Sequence, residues 1–124
     1  MSDLAYGHVV TRLLQGAPGL ALTLDAHLES NGEILPHVFF GDVTRYVEAR
    51  VNCGDTETVK QILAVFEDAV SSSDAQARDL IGASFLENLE TDALLFSTLA
   101  ELAGPQIKVA IEGERNHRNW GPEA

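Results

Sequence analysis

Chemistry in this chain would have to come from its histidines, its carboxylates and one cysteine. The segment "ILPHVFFGDVTRYVE", Ile34 to Glu48, sets a histidine, an aspartate, an arginine and a glutamate around two phenylalanines. An imidazole beside carboxylates raises proton transfer or metal binding. At about 100° per residue, however, His37, Gly41, Thr44 and Glu48 line up one turn apart, away from an apolar arc of Phe39, Phe40, Val43, Tyr46, Val47 and Val51. That spacing makes a polar strip on a core helix rather than a converging site. Asp42 and Arg45, three apart, are placed to pair on its flank. Arg50 falls inside the apolar arc, where its aliphatic stem can cover the core while the head reaches water. Gly41 is unusual, because an interior glycine costs a helix ~1 kcal/mol against alanine. Its presence suggests close approach by another backbone, from a neighbouring helix or a partner. His37, Gly41, Thr44 and Glu48 are therefore the candidate partner-binding residues.

Other constellations carry less. In "DAHLE", Asp25, His27 and Glu29 are close in sequence, but helical residues two apart point to different sides and chelate poorly. His-Glu-x-x-His and Cys-x-x-Cys spacings are absent. "GAPGLALTL" is glycine-rich but lacks the Lys-Ser/Thr step of a phosphate-binding loop. Cys53, the single cysteine, precedes a glycine turn and reads as incidental or structural, and it excludes an intrachain disulfide. Glu87 and Glu90 read as a solvated face. No residue is assigned as catalytic or metal-binding, and no cofactor is expected.

The elements that position these residues are helices throughout. Segments with 3.6-residue periodicity start near Leu4, Leu20, Pro36, Thr56, Ala75 and Ala93, with a short one through Ile107 and Ile111. Breakers separate them: "GAPG", Asn31-Gly32, Gly54 and Gly104-Pro105. Asp55 (or Thr56) and Asp74 are candidate N-caps, and Pro36 suits a first helical turn. No stretch alternates with period two. The pattern predicts an all-α domain of six or seven antiparallel helices, arranged as a bundle or a short stack of helical hairpins. Arg12, Arg45 and Arg78 recur at a spacing that a two-helix repeat would give, although the second helices do not align without a gap. Residues 1–112 form the expected single domain. Residues 113–124, "GERNHRNWGPEA", lack an apolar stripe and read as a C-terminal tail in which Trp120 is mobile or loosely docked. Phe39, Phe40, Val43, Val47, Phe66, Phe85 and Leu89 are the expected core.

At 124 residues, the chain is long enough for one core without staples. Nineteen acidic residues face eight basic ones, a net charge of −11. A field of that sign repels nucleic acid and anionic lipid and speeds encounter with a basic protein. Neither a basic leader nor a run of ~20 apolar residues is present, so the expectation is a soluble, cytoplasmic protein.

Two segments carry a resemblance. Gly32, Glu33, Leu35, Pro36, His37, Phe40, Gly41 and Asp42, with Ser84, Phe85, Glu87, Asn88 and Leu89, resemble a family of small bacterial helical proteins of uncharacterised function. These have Gly-Glu-x-Leu-Pro-His and Ser-Phe-x-Glu-Asn-Leu segments. Proteins of this appearance are similar in type to toxin-immunity proteins, being small, acidic and single-domain. The resemblance implies a non-catalytic protein-binding domain that neutralises a bacterial toxin. The alternatives are a helical scaffold or adaptor, with a homodimer among its forms, and an enzyme with an unrecognised carboxylate–histidine site.

Overall fold

A computed structural model describes residues 4–118. Seven α-helices follow one another among these residues: α1 Val9–Gly16, α2 Leu20–Asn31, α3 Pro36–Asn52, α4 Thr56–Val70, α5 Ala75–Ser84, α6 Ala93–Leu102 and α7 Pro105–His117. Short 3-10 turns precede α1 (Tyr6–His8) and follow α5 (Leu86–Asn88). The chain is an all-α bundle.

The boundaries follow local chemistry. Gly32 ends α2 in the left-handed conformation (φ 77°), and Gly54 does the same after α3 (φ 80°). Both positions favour glycine because it has no Cβ to clash. Three aspartates cap helices by accepting backbone N–H groups: Asp55 from Thr58, Asp74 from Gln76 and Asp92 from Leu95. Asp74 does a second job, because its other oxygen accepts the Tyr6 N–H at 2.8 Å and ties the N-terminal segment to the start of α5.

Helix α4 occupies the centre. It packs against α1, α3, α5, α6 and α7, and it buries Val59, Ile62, Leu63, Val65, Phe66 and Ala69. A hairpin stack would let each unit touch only its neighbours, so the bundle form of the expected architecture is the one adopted. The three arginines of the apparent repeat have unrelated partners. Arg12 pairs with Asp68 on α4 at 2.6 Å, Arg45 with Glu48 and Glu90, and Arg78 donates to the Ser72 carbonyl at 2.7 Å. All seven expected core residues are buried. Phe66 stands between Phe40 and Phe85, with ring centroids 5.6 and 4.5 Å apart.

Two helix ends are set by the tertiary fold, and the second differs from the sequence reading. Helix α5 stops at Ser84 and the chain tightens into a 3-10 turn, which still turns Phe85, Leu86 and Leu89 inward. At the C-terminus, the tail expected from residue 113 does not begin there. Helix α7 continues to His117, and Arg118 is fastened to the turn after α5. The apolar stripe does end at Ile111, but polar tertiary bonds carry the helix on. Trp120 lies outside the described residues.

The Asp55 cap predicts an acid effect. Hydrogen bonds from Thr58, with the Arg50 guanidinium nearby, hold the Asp55 carboxyl below the usual carboxylate range. A depressed folded-state value means that the contribution is complete above the unfolded value of about 3.9 and is lost as pH falls through the folded one. Asn caps without titrating. Denaturation curves of wild type and Asp55→Asn are therefore expected to differ most at neutral pH and to converge below pH ~4. An equal gap at pH 7 and at the acid end would show that the charge has no role.

Candidate functional site

Helix α3 carries the candidate residues, and its surroundings decide what they do. Its buried arc is wider than its apolar arc because more than one element packs on the helix. Helices α4 and α5 both do so, with α2 and α6 also in contact. The contact with α5 takes in the polar strip. Thr44 is fully buried; its hydroxyl donates to the Phe40 carbonyl at 2.8 Å and sits 3.4 Å from the Ser84 carbonyl. Glu48 is buried as well. One of its oxygens accepts the Glu90 N–H at 2.8 Å, and the other pairs with Arg45 at 2.9 Å. His37 stays exposed, but its Nδ1 is hydrogen-bonded to the Ser84 hydroxyl. Gly41 is half-buried and a Cβ there would meet open space.

Thr44 and Glu48 thus form an internal seam with α5 and offer no surface to a partner, while His37 stands exposed at its edge. A buried polar side chain must find hydrogen-bond partners, and these found them within the chain. Close approach does not account for Gly41 either. Gly41→Ala is expected to raise stability by up to about 1 kcal/mol, seen as a higher melting temperature. A lower one would show that the seam needs the glycine.

The expected Asp42–Arg45 pair is replaced by another arrangement. Arg45 turns toward the 3-10 turn, pairing with Glu48 and Glu90 (3.4 Å) and donating to the Asn88 carbonyl. Asp42 points elsewhere, exposed and without an ion pair or hydrogen bond among the described residues. Arg50 reaches water only in part, because its Nε is buried. Its guanidinium lies 5.4 Å over the Tyr46 ring and 3.6 Å from Asp55.

The solvent face of α3 is Val38, Asp42, Arg45 and Ala49, about 100° around from the strip. Ile34, Leu35 and Val38 are exposed large hydrophobics within five residues at the α2–α3 corner. Glu33 lies just before them and Asp42 one turn after Val38, both exposed. His27, outside the initial candidates, holds this corner. It is buried, and its Nε2 accepts the Leu35 N–H at 3.0 Å where α3 begins. The signal for it was available: α2 has few apolar residues that could face inward other than its leucines, and His27 sits one turn from Thr23 and Asn31. Beside the corner, α2 and α3 enclose an open groove of about 570 Å³ lined by Thr23, Ala26, His27, Ser30, Asn31, Asp42, Arg45 and Tyr46.

No group of three or more His, Cys, Asp or Glu side chains among the described residues could hold a metal ion. Cys53 is exposed, its thiol 3.5 Å from the Arg50 carbonyl. No helix among the described residues is long and apolar enough to cross a membrane.

A family model described as a domain of unknown function, DUF7674, matches residues 10–119. The chain belongs to that family. The match runs from the second residue of α1 through the end of α7, so the groove and the seam both lie within the DUF7674 domain. No curated protein and no solved structure matches the chain.

Proposed function

We propose that this DUF7674 protein is a non-catalytic protein-binding domain that docks a basic partner through the α2–α3 corner. One observation carries the reading: Ile34, Leu35 and Val38 are left exposed together, and exposed acids flank them. Protein interfaces have this anatomy, an apolar centre within a polar rim. The net charge of −11 supports the sign of the partner, because a negative field accelerates encounter with a positive surface. His37 and Asp42 belong to this face. The immunity-protein form of the reading rests on the resemblance of the Gly32–Asp42 and Ser84–Leu89 segments, and it makes a basic toxin the first partner to test. A cytoplasmic location belongs to the same proposal.

The test uses partner proteins recovered with the intact chain and then purified. Val38→Glu leaves the fold intact, since Val38 is about half exposed. It is expected to weaken binding at least tenfold, and the association rate should fall steeply with salt. Binding that ignores both salt and Val38→Glu would refute the corner as the interface.

A further inference from the structure

We infer that the groove between α2 and α3 is a receptor for an arginine side chain presented by the partner, an inference that rests on the protein-binding reading above. The groove adjoins the exposed corner, so a protein docked on Val38 and its neighbours would place its own side chains beside it. Its volume, about 570 Å³, is in the range of ligand sites. That leaves room for an arginine side chain and part of the backbone bearing it.

The lining selects the charge. Asp42 offers a carboxylate engaged by no other described residue. The one lining cation, Arg45, is matched by two carboxylates, Glu48 at 2.9 Å and Glu90 at 3.4 Å. Glu48 and Glu90 lie outside the lining and neutralise Arg45 from behind, which leaves Asp42 as the uncompensated charge of the groove. That charge favours a cation over an anion.

The lining also selects the shape of the cation. Acceptors stand on both walls: the Thr23 and Ser30 hydroxyls on α2, and the Asp42 carboxylate on α3. An ammonium group donates from a single point. A guanidinium has five donors in a planar fork and can reach both walls at once, with a bidentate contact to Asp42. Tyr46 forms part of the α3 wall, and one side of its ring already carries the Arg50 guanidinium at 5.4 Å. The groove wall is thus built on a stacking contact of the same kind.

The groove is also held in shape. His27 is anchored through Leu35, and the Asn31 side-chain amide donates to the His27 carbonyl at 2.9 Å. Gly19 lets Tyr46 close down, because any Cβ at that position would collide with the Tyr46 hydroxyl. Little has to be ordered when a ligand enters, which favours binding.

The experiment titrates the full chain with N-acetyl-arginine methylamide and follows backbone amide resonances. The lysine analogue and the uncharged citrulline analogue serve as comparisons. Saturable shifts confined to residues 23–31 and 42–46 are expected. The lysine probe should bind at least threefold more weakly and the citrulline probe at least tenfold, and Asp42→Asn should weaken the arginine probe about tenfold. Asp42 is exposed, so this variant should keep the wild-type melting temperature. Shifts scattered over the acidic surface without saturation, or Asp42→Asn binding the probe as well as wild type does, would overturn the inference. A partner that needs Val38 but binds Asp42→Asn with wild-type affinity would also overturn it while leaving the protein-binding reading intact. Groove-confined probe binding with no partner sensitive to Val38→Glu would uphold the groove and remove the docking surface.

Discussion

Phe66→Ala is expected to cost about 3–5 kcal/mol, the range for deleting a fully buried aromatic ring. A domain has a total stability of about 5–15 kcal/mol, so the variant should lose a large share of it. The position explains the size of the effect. Phe66 lies on α4, the helix that contacts α1, α3, α5, α6 and α7. Its ring is fully buried between Phe40 of α3 and Phe85 at the end of α5. Removing it empties the centre of the bundle, and the two flanking rings cannot close the gap without moving their helices. Urea denaturation measures the loss. Leu22→Ala is the comparison, because Leu22 is 79% exposed on α2 and surface changes stay within about 0.5 kcal/mol. Similar midpoints for the two variants would mean that the aromatic row does not hold the helices together.

The same contrast separates what could be read in the sequence from what could not. Core faces were legible wherever a helix has one wide apolar neighbour. On α4, Val59, Ile62, Leu63 and Phe66 recur at helical spacing and all point inward. Caps were legible because Asp55 and Asp74 stand just before such runs. The far side of α3 was not. Thr44 and Glu48 look like a solvent strip by type, yet they are buried by hydrogen bonds to the Phe40 carbonyl and the Glu90 amide. The Phe40 carbonyl is one turn away on α3 itself, but the Ser84 carbonyl and the Glu90 amide beside these side chains come from 40 and 42 residues away, and no local pattern announces them. The solvent face of α3, Val38, Asp42, Arg45 and Ala49, thus lies about 100° around the helix from the strip that residue types suggest. Gly104 has the same lesson in miniature. As a helix breaker it was plain, but its tertiary reason was not: a Cβ there would lie 2.8 Å from the Glu67 carboxylate. That carboxylate accepts the Gln106 and Ile107 N–H groups and so caps α7 from across the bundle.

Arg118→Ala is expected to destabilise the domain by about 2–4 kcal/mol, far more than loss of a residue in a frayed terminus would. The reason is the number of groups that depend on one guanidinium. It pairs with Glu114 at 2.8 Å and donates to the Leu89 carbonyl at 2.8 Å, the Leu86 carbonyl at 2.9 Å and the Thr91 hydroxyl at 3.0 Å. It also lies 5.1 Å over the Phe96 ring. The Arg118 and Glu114 side chains are only 15% and 13% exposed, so this pair is little screened and its loss strands a carboxylate and two carbonyls. Three segments would loosen together: the turn after α5, the start of α6 and the end of α7. Lysine tests the geometry, since an ammonium keeps the charge but has only three donors at one point, where the guanidinium fork serves four acceptors. Arg118→Lys should recover less than half of the loss. A chain ending at Glu112, the boundary the hydropathy pattern suggested, should also be destabilised, because it frees the Leu86 and Leu89 carbonyls and removes the last turn of α7. If that truncated chain melted like the full one, residues 113–118 would be a tail after all, and the clamp on the 3-10 turn would contribute nothing to the fold.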